Sequence, residues 1–385
     1  MLDRLISWWF PVHRAETEAE RRAVFRLRYR IYIEELGKRH VSGVDHGCGE
    51  VHDPEDDRDD SVIFYTGPPQ APTGTMRADL YLPGEVPESF RERYSLDRFP
   101  ELDIESLSEC TRLVLDLGAR GSMLALSMGI ACYRYGAVER GIRFGFSYAA
   151  PGLISRYARF GMQPYAGRLL QTADGLRVPL IAVCSDIEFL RRVRSPLRFL
   201  VADAFGPGRH PPLDMVRFRD RIGDHVAPFK VDWRTVLRAI EPLFVAGQPL
   251  TEGVPRRAAR LLARYGMLVM PKAGDLLLRR GLVDRELYVI LEGEMEISRG
   301  GHFIARLGPG EPLGELALFT TPGRRTADVR ALTPARLLVL RRRFVERLLN
   351  EDSKVGARFM VNIARIMASR MVGTMNRLES MEGGE

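Results

Sequence analysis

The sequence Gly314-Glu315-Leu316-Ala317-Leu318 is followed, eleven residues after its first glycine, by Arg325-Thr326-Ala327. A glycine allows a ligand to approach the backbone closely, and a short helical turn after it aims free N–H groups at an anion. An arginine provides a fork of N–H donors that fits phosphate oxygens, and a glutamate can accept a hydrogen bond from a ribose hydroxyl. Together these residue types predict a cradle for a cyclic phosphate.

Short apolar runs surround this stretch and are separated by glycines. They are Leu276–Leu278, Leu287–Leu291, Met295–Ser298, Phe303–Leu307 and Ala335–Leu340. Strands at this spacing are typical of a small barrel or jelly roll. Two terminal helices are predicted after the strands, at Phe344–Leu349 and Val355–Leu378.

Residues from about 255 to 375 resemble a cyclic-nucleotide-binding domain, on the segments 273–281, 286–297, 304–318 and 324–332. The resemblance implies that cAMP or cGMP is a regulatory ligand, that Glu315 binds its ribose and that Arg325 binds its phosphate. Arg324 leaves open a register one residue earlier, although Thr326-Ala327 favours Arg325. The resemblance also implies that Thr326 contacts the phosphate or the base, and that the pocket is lined by the backbone around Gly314, Leu316 and Ala317.

The last predicted helix is rich in methionine, at Met360, Met367 and Met371. Such a stripe is most often a packing face. In the family that the domain resembles, this helix closes over the bound base or pairs two subunits into a homodimer.

The first half of the chain alternates between helical and strand patterns. Thr17 and Glu20 have capping-box spacing and begin a predicted helix that ends near Gly37. Strands are predicted at Ser61–Tyr65, Thr73–Leu80, Leu113–Leu117 and Phe144–Tyr148, and helices at Ser122–Arg140 and Leu153–Phe160. This order predicts an α+β fold with one central sheet flanked by helices. The expected division is residues 1–205, a linker with a connecting helix at 206–254, and 255–385.

Composition excludes several classes of protein. The 385 residues carry a net charge of +7, and residues from 251 onward hold 23 basic against 16 acidic side chains. This modest excess, with no helix-turn-helix pattern, disfavours a nucleic acid partner. No apolar run approaches the roughly 20 residues of a membrane-spanning helix. Four scattered cysteines and a Leu5–Phe10 segment without signal-peptide features predict a cytoplasmic protein with reduced thiols and no metal.

Four features in residues 20–165 are candidates for catalysis. Arg28 lies on the first helix, an acidic run spans residues 53–60, Arg77 lies in a strand, and Glu109 and Arg112 are three residues apart. Taken singly, each has an ordinary structural interpretation as an ion pair or a solvated loop.

The order of these features resembles the acyl-homoserine-lactone (autoinducer) synthases and the related N-acyl amino acid synthases of the GNAT superfamily. The resemblance implies a GNAT-like sheet and the transfer of an acyl group from a thioester to a small amine such as an amino acid. It also implies a site made of Arg28, the paired acids Asp57 and Asp60, Arg77, Glu109 and Arg112.

An amine must be neutral to attack a thioester, so a carboxylate must accept a proton. Glu109 is the first candidate for this base, with Asp57 and Asp60 as alternatives, while the arginines bind a substrate carboxylate or orient Glu109. The loop Gly118–Ser122 is a degenerate version of the coenzyme A loop of GNAT acetyltransferases. This departure favours an acyl carrier protein over acyl-CoA as donor, and Arg120 or Arg140 would meet that acidic protein.

Two other functions remain open from the sequence: a cyclic-nucleotide-regulated protein lysine acetyltransferase and a non-catalytic signalling adaptor. The pair Trp8-Trp9 could contact acyl chains or a membrane, but packing against the protein is the favoured interpretation.

Overall fold

The computed structural model describes residues 2–38, 41–120, 123–165, 169–172, 175–206, 233–244, 248–283, 286–320 and 323–382. The chain divides into two compact units, Met1–Phe229 and Lys230–Glu385. The division falls inside the expected linker, residues 206–254. Residues 207–232 and 245–247 of that linker, and Gly121 and Ser122 of the predicted loop, lie outside the described residues.

The described part of the N-terminal unit contains ten strands: β1 Val12–Arg14, β2 Val44–Asp45, β3 Glu50–Val51, β4 Ser61–Thr66, β5 Gly74–Tyr81, β6 Leu107–Leu115, β7 Phe144–Ala149, β8 Met162–Pro164, β9 Leu170–Thr172 and β10 Gly175–Val183. Strands β2 and β3 form a separate hairpin. The others form one sheet in the order β1-β4-β5-β6-β7-β10-β8, with β9 paired to β10. Of the pairs along this order, β6 and β7 are parallel.

The helices of this unit are α1 Leu2–Trp9, α2 Glu18–Tyr29, α3 Glu88–Tyr94, α4 Leu124–Tyr133, α5 Ile154–Tyr157, α6 Ile187–Arg192 and α7 Val201–Phe205. The predicted capping box is confirmed, because the Glu20 N–H donates to Thr17 Oγ1 at 3.3 Å and the Thr17 N–H donates to Glu20 Oε2 at 2.9 Å. Helix α2 continues as a π-helical segment, Arg30–Glu35, and the chain turns at Gly37, where φ is +64°.

The two faces of the sheet differ in chemistry because side chains alternate along each strand. On one face Met76, Ala78 and Leu80 of β5 pack in the same cluster as Met128 of α4. The alternate residues of β5, among them Arg77 and Asp79, face the opposite side, where α2 covers Ile63 and Tyr65 of β4. The polar candidates of β5 therefore lie on the α2 face.

Two expectations about this unit are wrong. The strand expected at Leu113–Leu117 begins at Leu107, so Glu109 and Arg112 lie within β6 instead of before it. The start of β6 was not predicted because Ser108 and Glu109 are polar, although both side chains are buried in the structure. Trp8 and Trp9 do not pack against the protein, since their exposed fractions are 74% and 68%.

The C-terminal unit contains two four-stranded sheets within the described residues. One has the order β11 Met267–Val269, β18 Arg336–Arg341, β13 Glu286–Glu292, β16 Pro312–Leu313; the other has the order β12 Leu276–Leu278, β17 Asp328–Ala331, β14 Met295–Arg299, β15 His302–Leu307. The helices are α8 Trp233–Ile240, α9 Ala258–Tyr265, α10 Leu316–Phe319, α11 Arg342–Glu351 and α12 Ser353–Glu382. The five predicted strands and the two terminal helices are confirmed, while β11, β16 and β17 were not predicted.

No helix of the described residues is long and apolar enough to cross a membrane.

Candidate functional site

The residues predicted for the cyclic phosphate meet in one pocket of the C-terminal unit. Gly314, Glu315, Leu316, Arg325 and Thr326 line it, with apolar side chains from both sheets: Leu278, Ile297, Leu313 and Val329. Ala317 follows in α10, the single helical turn predicted after the glycine. The pocket therefore combines an apolar wall with an arginine, a carboxylate and the start of a helical turn.

Gly314 and Arg325 fit each other closely. Gly314 has φ +73°, and a Cβ at this position would lie 2.0 Å from Arg325 Nη1. Arg325 is buried and donates from Nη1 to the Gly314 carbonyl at 2.9 Å and from Nη2 to the Glu286 carbonyl at 2.7 Å. The neighbouring Arg324 is exposed and donates to the Gly281 carbonyl. Arg325 is thus the arginine held in a fixed position in the pocket wall.

The carboxylate of Glu315 is bonded to the last helix. Arg370 of α12 donates from Nη1 to Glu315 Oε1 at 3.0 Å and from Nη2 to the Pro312 carbonyl at 3.0 Å. Further along α12, Asn362 donates to the carbonyls of Leu250 and Glu252 at 3.0 and 2.8 Å. One helix therefore contacts both the pocket and the segment that precedes α9.

Comparison with known proteins identifies this region. The family model described as cyclic nucleotide-binding domain matches residues 270–352. The C-terminal unit contains a cyclic nucleotide-binding domain. The match to the domain supports cAMP or cGMP as its regulatory ligand, and no group of three or more His, Cys, Asp or Glu side chains among the described residues could hold a metal.

Curated relatives match a short part of this chain. The cGMP-dependent protein kinase egl-4 of Caenorhabditis elegans is 38% identical over 71 residues, or 18% of this chain and 9% of the kinase. The potassium/sodium hyperpolarization-activated cyclic nucleotide-gated channel 3 of Homo sapiens is 45% identical over 67 residues, or 17% of this chain and 8% of the channel. The chain thus spans less than a tenth of the length of these relatives.

Two solved structures each match about a third of this chain. The N-terminal domain of a transcriptional regulator from Streptomyces coelicolor has 30% identity and a TM-score of 0.30, covering 33% of this chain and 91% of that one. The Thermus thermophilus catabolite activator protein has 24% identity and a TM-score of 0.31, covering 35% of this chain and 63% of that one.

The N-terminal candidates form a buried network of charges. Arg28 of α2 donates from Nη1 to Asp56 at 2.7 Å, and neither side chain is exposed to solvent. Arg77 donates to Asp79 at 2.9 Å, to Asp53 at 3.1 Å and to Asp56 at 3.3 Å. Arg112 donates from Nε to Asp53 at 2.6 Å. The structure thus brings Arg28, Arg77 and Arg112 together around shared aspartates.

The acidic partners differ from the predicted pair. Asp57 is exposed and pairs with Arg21 at 2.8 Å, and Asp60 pairs with Arg140 at 3.2 Å, so neither reaches the three arginines. Asp53 and Asp56 take that place because they lie at the start of the 3-10 turn Pro54–Asp57, where the Asp53 N–H donates to Asp56 Oδ2 at 2.8 Å and the Asp56 N–H donates to the Asp53 carbonyl at 3.0 Å. The signal in the sequence is Asp53 before Pro54 with an acid three residues on, a capping box that begins a helical turn.

Burial works against the ionised form of Asp56, but the charges of Arg28 and Arg77 outweigh it, and the pKa of Asp56 lies below its usual value. Burial has the larger effect on Asp79 and raises its pKa despite Arg77. The network therefore keeps the Asp56 carboxylate ionised, whereas the Asp79 carboxylate is easier to protonate than an ordinary aspartate.

Arg112 occupies a bulge in β6. Opposite β5 the register moves from Arg77↔Thr111 to Thr75↔Val114, so two residues of β6 oppose Met76 alone. Arg112 has φ +54°, a conformation that non-glycine residues rarely adopt. Regular alternation would place its side chain on the α4 face, and the bulge turns it to Asp53 on the α2 face. Such strain at a partly buried arginine is typical of functional sites.

Glu109 has two partners that the sequence did not reveal. Tyr94 Oη donates to Glu109 Oε1 at 2.6 Å, and Arg93 Nη1 donates to the same oxygen at 2.9 Å. Burial and the neighbouring Glu109 carboxylate hold the pKa of Tyr94 well above its usual value, so the phenol stays a proton donor. Both partners lie on α3, and the only signal for them was an adjacent basic and aromatic residue on a short helix.

Glu109 also marks the point where two strands part. The parallel pairing of β6 with β7 consists of Leu107↔Phe144, Ser108↔Gly145 and Glu109↔Phe146. Directly beyond it, Ser147 Oγ donates to the Cys110 carbonyl at 2.7 Å in place of a backbone bond. The backbone pairing of β6 with β7 thus ends beside the buried carboxylate.

The two arginines predicted to meet a carrier protein are half-exposed and already paired. Arg120 donates to both carboxylate oxygens of Glu35 and to the Leu115 carbonyl, and Arg140 pairs with Asp60. Any approaching acidic protein would have to compete with these partners.

Proposed function

We propose that the N-terminal unit is an N-acyltransferase and that cAMP or cGMP bound to the C-terminal domain regulates it. The observation that carries the proposal is the position of Glu109. A buried carboxylate lies at the last paired residue of two parting strands, beside a balanced network of arginines and aspartates. The acyl donor is an acyl carrier protein or acyl-CoA, and the acceptor is a small amine such as an amino acid.

The sheet supports a GNAT-like fold for this unit. Its parallel pair β6–β7 separates after three residue pairs, and helix α4 lies in the chain between the two strands. Strand β7, the turns of residues 151–160 and strand β8 follow in the order expected for the closing strand–helix–strand. A thioester inserted between the parted strands would find backbone N–H groups that can stabilise an oxyanion.

The chemistry assigned to Glu109 is proton transfer. The amine nitrogen attacks the thioester carbonyl carbon, the C–N bond forms, the C–S bond breaks, and the thiol leaves with a proton. Glu109 takes the proton that the amine nitrogen loses, directly or through a water molecule, and returns it to the sulfur of the departing thiol. Tyr94 and Arg93 fix the carboxylate, and holding both reactants beside it contributes much of the rate.

The arginines divide into two roles. Arg77 and Arg112 donate to Asp53, Asp56 and Asp79, so we assign them to positioning the loop of residues 53–57 against β5 and β6. Arg28 also pairs with Asp56, but its Nε and Nη2 have no hydrogen-bond partner among the described residues, although they are buried. These donors suit the carboxylate of an amino acid acceptor.

Regulation follows from the contacts of α12. A ribose hydroxyl that bonds to Glu315 shares that carboxylate with Arg370, and a movement of α12 would reach Leu250 and Glu252 through Asn362. Nucleotide can shift the position of α12 only if it binds one arrangement more tightly than the other. We propose that this shift changes acyl transfer.

The test is mass spectrometry of lipids from a bacterial host that expresses the intact chain, the Glu109→Gln variant or the Glu92→Gln variant. Glu92 is an exposed residue of α3 and serves as the matched control. We expect a new N-acylated amine with the intact chain and with Glu92→Gln, and its loss with Glu109→Gln. The mass of the product would identify both substrates.

No new lipid in any culture would contradict the proposed acyl transfer to a small amine. Acetylated lysines in host proteins, dependent on Glu109, would favour the protein acetyltransferase instead. A cellular phenotype that survives both Glu109→Ala and Arg112→Ala would favour a non-catalytic adaptor.

A further inference from the structure

Two adjacent tryptophans project from the N-terminal unit. Helix α1 is held by Ile6, which packs with Leu126 and Ile130 of α4, and by the Phe10 carbonyl, which accepts from Ser127 Oγ. Trp8 and Trp9 lie on the outside of the same helix with ring centroids 5.1 Å apart. Each indole carries a large apolar surface, so two adjacent exposed indoles indicate an interaction surface.

A third aromatic ring and four arginines lie close by. Helix α1 contacts the 3-10 turn Pro196–Phe199, and α6 contacts the same turn. Phe199 is half-exposed there, with the Arg198 guanidinium 4.4 Å from its ring centre. Arg191, Arg192 and Arg194 are exposed between α6 and the turn. These contacting elements carry the side chains that we define as the Trp–Arg face: Trp8, Trp9, Phe199, Arg191, Arg192, Arg194 and Arg198.

The Trp–Arg face carries positive charge that could bind an anionic partner. Among the residues that the structure describes, none of the four arginines forms an ion pair. Among the side chains whose exposure the structure describes, the exposed acids of α6 and of the neighbouring α7 are Glu188 and Asp203, fewer than the four arginines. Arg194 has φ +54°, so the backbone turns sharply at the centre of the arginine cluster.

We propose that the Trp–Arg face binds the surface of an anionic lipid membrane. Indole rings favour the boundary between headgroups and acyl chains, where the ring meets hydrocarbon and its N–H meets water. Arginine side chains around them meet the lipid phosphates. A short helix with apolar residues at its exposed end can insert to this depth without crossing the bilayer.

An acidic protein is the main alternative occupant, because it would satisfy the arginines. It would have to bring an apolar recess for two neighbouring indoles, whereas a bilayer provides phosphates and hydrocarbon over the whole face. The lipid surface therefore fits both halves of the face, and this inference stands whether or not the N-terminal unit transfers acyl groups.

The test uses the full chain and its three tryptophans, Trp8, Trp9 and Trp233. A Trp233→Phe variant reports on Trp8 and Trp9 alone, and it is mixed with vesicles of phosphatidylcholine or of phosphatidylcholine with about one third phosphatidylglycerol. We expect a blue shift of emission and quenching by brominated lipid, mainly with the anionic vesicles. Raising the salt from about 0.1 M to about 1 M should weaken binding, because it shortens the screening length.

Flotation of the same vesicles compares variants. We expect the Trp8→Ser, Trp9→Ser double variant to lose about tenfold in partitioning, a change of about 1.4 kcal/mol. The matched control, Ile104→Ser, alters an apolar side chain that is 79% exposed away from the face and should bind as the parent does. Unshifted emission of the Trp233→Phe chain would overturn the proposal. So would unchanged partitioning of the double variant, or binding to an acidic carrier protein with no binding to vesicles.

Discussion

At the scale of single residues, each unit has a buried charged side chain that a few specific contacts hold in position. Arg325 depends on two carbonyls and on the absence of a Cβ at Gly314, while Glu109 depends on Tyr94 and Arg93. Motif spacing in the sequence singled out Arg325 and Glu109 as candidates. Tyr94 and Arg93 were not singled out, because their role depends on where a short helix packs against the sheet.

Arg325→Ala should nearly abolish nucleotide binding. Truncating one partner of a buried, hydrogen-bonded charge pair costs about 2–5 kcal/mol. Affinity for cAMP or cGMP should therefore fall by about 30-fold or more, as measured by isothermal titration calorimetry. The neighbouring Arg324→Ala is the control and should have the smaller effect. A larger loss with Arg324→Ala would mean that the phosphate binds one residue earlier.

Glu20 gives the N-terminal unit an acid-dependent contribution to stability. A hydrogen bond from Tyr65 and bonds from Thr17 lower the pKa of Glu20 from 4.5 to about 2. Because the folded pKa is depressed, this contribution is complete above pH 4.5 and is lost as the pH falls from 4.5 toward 2. Urea midpoints of the parent and Glu20→Gln should therefore converge between pH 7 and pH 3. A constant difference would contradict this assignment, and Glu18→Gln is the control in the same helical turn.

At the scale of elements, turns and bulges bring the charges together. The 3-10 turn Pro54–Asp57 directs Asp53 and Asp56 toward α2 and β5, and the bulge at Arg112 turns that arginine to the same side. The sequence predicted the first long helix through its capping box and about half of the described strands through short apolar runs. It did not predict the bulge, because an extra residue in a strand leaves no mark in a pattern with a period of two.

Breaking the buried ion pair between Arg28 and Asp56 should lower the free energy of unfolding substantially. Arg28→Met removes the closest cationic partner of the buried Asp56 and leaves only its longer contact with Arg77, which costs about 3–5 kcal/mol of unfolding free energy. Arg30→Met, on the π-helical segment that continues α2, removes a half-exposed pair with Asp116 and should cost about 0–1 kcal/mol. Urea unfolding of the full chain compares the two. Equal losses would contradict the assignment of Arg28 to a buried network.

Arg370 should transmit nucleotide binding to α12. In Arg370→Ala the nucleotide still reaches Arg325, but Glu315 is no longer joined to the helix. Hydrogen exchange of residues 353–382 should change on nucleotide binding in the parent and much less in the variant. Lys354→Ala, at the start of the same helix, should behave as the parent does. An unchanged response in Arg370→Ala would exclude this contact as the link.

At the scale of the whole molecule, the chain joins a cyclic nucleotide-binding domain to a mixed sheet with a buried charged network. The change of texture near residue 206, from alternating helices and strands to prolines and glycines, predicted two units. In the function proposed above, joining the two units in one chain places acyl transfer under the control of a nucleotide signal. Pairing of the charges across the sheet could not be predicted, because Asp53 and Asp57 are equivalent until the turn that carries them is folded.

The most direct test of this account is the rate of acyl transfer by the purified chain, with the donor and amine identified by mass spectrometry, at increasing concentrations of cAMP or cGMP. We predict a saturable change in kcat or kcat/KM in the parent chain and no change in Arg325→Ala, which should keep its basal rate. The same rate at zero and saturating nucleotide, in an active chain that binds the nucleotide, would contradict the central claim.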